Sequence, residues 1–179
     1  MKKRFINIVS VLFAVLLITS CSGKDDEAFK TEIPQVEASS ELKEFMYAFL
    51  PDHVSYFSEE FPLTTPLDDN GRPRPLIINS QTELEKAFRT EGLDISQLPQ
   101  IDFENYSLVV GMAFYLSEKR VPEKSLGQKL YKMGKEYMME LNFAYQTSYD
   151  VFSTTYLTYW GLYPKLDRLP IKDKINFIK

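Results

Sequence analysis

The sequence predicts an α+β domain: mainly an antiparallel sheet of five or six strands, with two short helices. Three observations lead there. Downstream of residue 125 the chain alternates apolar and polar residues with period two, in runs parted by turn residues such as Gly134 and Lys135, which is the pattern of hairpin-linked strands. Two earlier segments instead repeat their apolar residues at i, i+3 and i+4, the spacing of one helix face. Runs of hairpin-linked strands also follow one strand and helix, which argues for an antiparallel α+β domain rather than a parallel βαβ sheet.

Ahead of the domain, Lys2, Lys3 and Arg4 precede an apolar run from Phe5 to Ile18. That run is shorter than the roughly 20 residues a helix needs to span a bilayer, so residues 1–20 read as a signal peptide. It ends in Leu17, Ile18, Thr19, Ser20 and Cys21, which resembles the lipobox of bacterial lipoproteins. The resemblance implies that Cys21 becomes the lipidated N-terminus, so that the first partner of the protein is a membrane reached through acyl chains. Lys24, Asp25, Asp26 and Glu27 follow, and a lysine trailed by acids resembles the surface-export signal of Bacteroidetes lipoproteins. What this implies is an outer-membrane lipoprotein facing the cell exterior; the alternative is a solvated tether on the periplasmic face. Residues 21–39 carry isolated apolar residues and one proline, the composition of a flexible tether, and residues 40–179 remain as a single domain.

The formal charge is −4, and loss of the three leader cations makes the exported chain more acidic still, which disfavours a nucleic-acid partner. Cys21 is the only cysteine, so acylation leaves no thiol for a disulfide, a metal thiolate or a nucleophile. With 13 Phe, 11 Tyr and 6 Met against 7 Gly, the core should be aromatic and the backbone regular.

The first helix follows Ser39 and Ser40, with Leu42, Phe45, Met46 and Phe49 on one face, Glu41 and Glu44 near its positive end, and Pro51 as its stop. Pro51 to Pro75 holds five prolines and a turn-like Asp68, Asp69, Asn70, Gly71 cluster and reads as a long loop, with Tyr56, Phe57 and Phe61 as its packing residues. Leu76 to Ile78 makes a short strand. Ser80 and Glu83 then form a capping box for a helix with Leu84, Ala87 and Phe88 inward and Gly92 at its close. Ile101, Asp102, Phe103 and Asn105 lead into Ser107 to Leu116, too continuously apolar for an exposed strand and therefore central; Gly111 marks a bulge or the close approach of another segment. Ser125 to Met133 and Glu136 to Tyr145 pair as a hairpin, with Tyr137, Met139, Leu141, Phe143 and Tyr145 facing the core. Thr154 to Tyr163 and Ile171 to Ile178 complete the strands, the last with Ile171, Ile175 and Phe177 on one face.

The order of strand, Ser-x-x-Glu-Leu helix, Ile-Asp-Phe and apolar glycine-containing strand resembles uncharacterised Bacteroidetes lipoproteins and, distantly, the C-terminal domain of the PrcB-like protease-complex regulators. It covers residues 76–179 and is carried by Ser80, Glu83, Leu84, Ile101, Asp102, Phe103 and Gly111. These residues serve equally as caps, turns and core, so the resemblance implies a fold and little about activity. The aromatic segment around Trp160 departs from the PrcB pattern.

Catalytic signals are sparse. His53 is the one histidine and sits in a proline-flanked loop without a partner motif, Asp68 to Gly71 lacks the alternating ligands of a calcium loop, and no glycine-rich phosphate loop occurs. Nothing calls for a metal or cofactor. The strongest binding signal is the aromatic density of Tyr145, Tyr149, Phe152, Tyr156, Tyr159, Trp160 and Tyr163. Neighbours in a strand point to opposite faces, so Tyr159 and Trp160 cannot share one core. Either one face stands exposed as a platform of Tyr156, Tyr159, Trp160 and Tyr163, or a second layer covers it. The expected function is a non-catalytic envelope module that binds a glycan or a protein, with a small carboxylate-dependent carbohydrate-active hydrolase as the alternative.

Cys21→Ser should leave the chain unlipidated and either released or misprocessed. Intact-mass measurement of the membrane form decides this, and a Cys21→Ser chain that is still cleaved and acylated would overturn the lipoprotein reading.

Overall fold

The strand with the most continuous apolar run lies in the middle of the molecule because it is covered on both faces. The computed structural model describes residues 30–50, 65–88, 97–117, 120–147 and 153–179. Residues 1–20, expected to be a signal peptide, Cys21, His53, Tyr56, Phe57 and Phe61, Gly92, expected to stop the second helix, and Tyr149 and Phe152 lie outside these residues. The fold is α+β, and the described residues form two helices and seven strands in two sheets. No helix among the described residues is long and apolar enough to cross a membrane.

One sheet has three strands. In it β3 (Tyr106–Ser117) runs between β2 (Leu76–Ile78) and β6 (Ser153–Pro164), antiparallel to both. The other sheet holds β1 (Lys30–Ile33), β4 (Arg120–Met133), β5 (Glu136–Thr147) and β7 (Ile171–Ile178) in that spatial order. Here β5 and β7 are parallel, the one departure from antiparallel pairing among the described strands. The expected α+β fold, mainly antiparallel with two short helices, is what the described residues form; the strands number seven rather than five or six, β1 being the addition, and they divide between two sheets.

Period-two alternation on β3 and β6 sorts the core into two layers. Leu108, Val110, Trp160 and Leu162 face the helices α1 (Ser40–Phe49) and α2 (Gln81–Ala87), where they meet Leu42, Met46, Leu84 and Phe88. Val109, Ala113, Leu157, Tyr159 and Tyr163 face the four-stranded sheet, where they meet Leu130, Tyr137, Met139, Leu141 and Phe143. The layers are therefore helix, three-stranded sheet, four-stranded sheet.

Local chemistry explains the elements. The Ser39 hydroxyl accepts from Leu42 N at 3.1 Å and caps α1. At α2 the Ser80 hydroxyl accepts from Glu83 N, as a capping box requires, but the Glu83 carboxylate reaches Asn79 N at 2.7 Å, one residue before the cap. In the β4–β5 turn Gly134 takes φ +61°, which a side chain would strain. The odd face of β5 is core from Tyr137 to Phe143, while Tyr145 is half-buried.

β1 lies within residues 21–39, the stretch whose composition is that of a tether, and side chains hold it to the sheet. Lys129 pairs with Glu32, and Lys30 with both Glu140 and the Tyr131 ring, which fastens β1 to the edge of β4; Val36 then bonds Leu162 O. The linker from β6 to β7 is fixed by a polar knot: Ser107 Oγ donates to Asn79 Oδ1 and accepts from Leu166 N, and Asn79 Nδ2 donates to Leu166 O. It leads the chain from one sheet to the other and so sets where β7 lies.

Phe143→Ala should cost about 3–5 kcal/mol through lost burial and the cavity left behind. Asn142→Ala, on the outer face with a 3.0 Å bond from Asn176, should cost about 1 kcal/mol or less. Urea denaturation measures both, and equal losses would show that the outer face carries as much packing as the inner one.

Candidate functional site

The site arises where the strand pairing stops. β2 ends at Leu76, paired with Val110, because Pro75 before it has no N–H to extend the ladder and Pro73 repeats the break. From Gly111 to Ser117, β3 has no strand on that side among the described residues. β7 is likewise the outermost strand of its own sheet. The two sheets therefore leave a gap at this edge, a groove of about 1010 Å³.

Its walls come from three places. Met112, Phe114 and Tyr115 come from β3, with Tyr156 from β6; Ile171, Asp173 and Ile175 come from β7; the third wall is the turn around residues 68–75. That turn is where the sequence places one. Gly71 takes φ +74°, and Asp68 Oδ1 accepts from both Asn70 N and Arg72 N at 2.8 Å. The bond from Arg72 N, together with that from Asn70 N and against desolvation, holds the Asp68 carboxyl below the ordinary range. The turn also lays the Arg72 guanidinium over the Phe114 ring, 4.7 Å from its centroid. Phe114 in turn meets Tyr156 edge to face at 5.6 Å.

Asp173 is the unusual residue. It lies on the face of β7 that carries Ile171, Ile175 and Phe177, opposite Met139 in the register, so an acid occupies a position the period assigns to the core. Solvent in the groove reaches it, yet the walls crowd it, and that burial outweighs the bond from Tyr159 and pushes its pKa up to about 6. Tyr159 Oη donates to Asp173 Oδ1 at 2.5 Å. Burial first, and the neighbouring carboxylate second, keep the Tyr159 hydroxyl protonated far beyond its ordinary range. The ring reaches Asp173 only by crossing β3 at Gly111, where an added Cβ would come within 2.3 Å of the ring and hydroxyl. Gly111 is hence a site of close approach and not a bulge, since the β3–β6 register runs through it without a shift.

No protein-family model matches the chain, and the comparisons with curated proteins and with solved structures give no match. A functional reading therefore has to come from the groove. Among the described residues no group of His, Cys, Asp or Glu is placed to hold a metal ion.

The four aromatic residues singled out in the sequence are not brought together. Trp160, 9 % exposed, packs in the helix layer with Tyr47 at 5.9 Å, while Tyr159 and Tyr163, 4 % and 0 % exposed, are buried between the sheets. Tyr163 Oη accepts from Gln128, and burial pushes its pKa up to about 12. The exposed platform is thus corrected for these three: a layer lies on each side of β6, so both faces find a core. Tyr156 alone lines the groove. Sequence reasoning missed Asp173, although an acid in step with Ile171, Ile175 and Phe177 was a visible signal, and missed Arg72, whose position over Phe114 only the fold creates.

Asp173 predicts a signed pH effect. Its folded pKa lies above the ordinary 3.8, so its contribution to stability is fully present below 3.8 and is lost as pH rises through about 6. Asp173→Asn, which retains an acceptor for Tyr159, should melt higher than the wild type above pH 6, with the difference closing toward pH 4. Paired melting curves across that range check it, and an advantage confined to low pH would contradict it.

Proposed function

We propose that the protein is a non-catalytic binding module of the cell envelope, anchored through lipid on Cys21 at the outer membrane and facing outward, and that the groove between β3 and β7 holds its ligand, a glycan or a segment of another envelope protein. The observation that carries this reading is the groove itself. Its volume of about 1010 Å³ matches a ligand site, and its lining combines half-buried aromatic rings with a few charged groups. Phe114 and Tyr156 supply apolar contact, and Arg72, Arg74 and Asp173 supply polar partners.

A carboxylate-dependent hydrolase draws less support. It needs a second acid available to work with Asp173, and Asp68, the other carboxylate lining the groove, already accepts two backbone bonds within its turn.

Tyr156→Ala and Phe114→Ala in the full chain test the reading. Each should weaken capture of envelope material, glycan and protein fractions assayed separately, by roughly 30-fold, as removal of a central aromatic contact does, with little change in melting temperature. Folded variants that capture as well as the wild type would exclude the groove as the binding site.

A further inference from the structure

Resting on the groove as the binding site, the chemistry of its walls narrows what can enter. Asp173 carries a negative charge on an apolar wall, and among the described residues its one hydrogen-bond partner is the neutral hydroxyl of Tyr159. The cations around it are engaged elsewhere. Lys172 and Lys174 alternate to the opposite face of β7 and pair with Glu136 at 2.7 Å and Glu140 at 3.5 Å. Across the groove Arg72 lies over Phe114, and Arg74 pairs with Asp69 at 3.6 Å. A carboxylate that lines the groove and is paired with none of these cations is open to a charge-assisted bond from a cationic group outside.

The same wall is a sheet edge. Every second pair of N–H and C=O groups on β7 points away from β5, and no strand among the described residues takes them. An extended segment added there continues the sheet, and its side chains follow the same period, about 6.6–7 Å per two residues. Its groove-facing positions then run alongside Ile171, Asp173 and Ile175, an apolar, acidic, apolar series. A sugar ring finds less here, because stacking needs an open ring face. Arg72 already covers Phe114, and Tyr156 meets that ring on edge.

We propose that the groove receives an extended protein segment along the outer edge of β7, with a lysine or arginine seated on Asp173 and apolar side chains at the alternate positions on either side. Asp173 is then the specificity-determining residue of the site. The charge of −4 on the whole chain favours the encounter with a basic segment. Lys172 and Lys174 on the outer face repel a second sheet edge that lacks acids to match them.

The test uses the full chain in detergent and fluorescein-labelled peptides of the sequence Thr-Val-Thr-Lys-Thr-Val-Thr, with glutamine or glutamate replacing the central lysine in the controls, read by anisotropy. A chitosan tetramer, which carries the same ammonium groups on sugar rings, is the competing arm. The lysine peptide should bind about tenfold or more tightly than the glutamine peptide, the worth of one charge-assisted contact. D173N should abolish that preference, whereas Tyr159→Phe, which keeps the carboxylate, should retain it. Amide hydrogen exchange should slow along β7 only with the lysine peptide. Equal binding of the lysine and glutamine peptides, a preference that survives D173N in a folded protein, or binding of the chitosan tetramer in place of the peptides would each overturn the inference. Should Tyr156→Ala abolish envelope capture while no peptide is discriminated, the groove remains the site and this inference alone fails; should neither variant matter, both fail.

Discussion

The structure depends on the burial of both faces of the β3–β6 ladder. An antiparallel sheet with one wet face needs apolar residues at alternate positions only, but Leu108, Val109 and Val110 are all fully buried, as are, or nearly so, Tyr159, Trp160, Leu162 and Tyr163. Such a ladder is stable only with a layer on each side. The helices supply one and the four-stranded sheet the other, and every other element is placed by serving one of them. At roughly 1.5–3 kcal/mol for each large side chain buried, these two interfaces dominate the favourable side of folding. The ion pairs on β1, β4 and β7 are largely solvent-exposed and add little to stability beyond fixing register.

The groove is where that arrangement ends. Two prolines halt β2 after three residues, so the three-stranded sheet is narrower at one corner than the sheet beneath it. β7 continues past that corner, and at Asp173 its inward face meets solvent while Ile171, Ile175 and Phe177 still pack against the core. This accounts for an acid at position 173: a carboxylate among Ile171, Ile175 and Phe177 would be prohibitively costly under a covering strand, but is tolerable at an open mouth with a tyrosine hydroxyl to bond it.

Tyr159, Gly111 and Asp173 form one connected device across three strands. The missing side chain on β3 lets a ring from β6 pass beneath the strand and present its hydroxyl to β7. The core is thereby coupled to the groove through a single short hydrogen bond, so the position of the carboxylate is set by packing inside the molecule rather than by a loop. A site built on strands in this way is held to closer tolerance than one built on a connection.

What the sequence determined by itself was everything that depends on near neighbours along the chain. Caps at Ser39 and Ser80, the turns at Gly71 and Gly134, the inward face of β5 and the centrality of β3 are local in origin, because hydrogen bonds over three or four residues and a side-chain period of two are properties of the chain itself. How many layers stack, and which strands adjoin across them, was decided by tertiary structure. The same alternation of Tyr159 and Trp160 fits an exposed platform or a second core, and only the pairing of β5 with β7, more than 30 residues apart in sequence, supplies the sheet that buries Tyr159. The reading of the segment around Cys21 as a lipid-attachment signal stands on sequence pattern alone. The joining of Arg72, Phe114, Tyr156 and Asp173 in one groove stands on the fold alone, since those residues come from a turn and three strands that no local rule brings together.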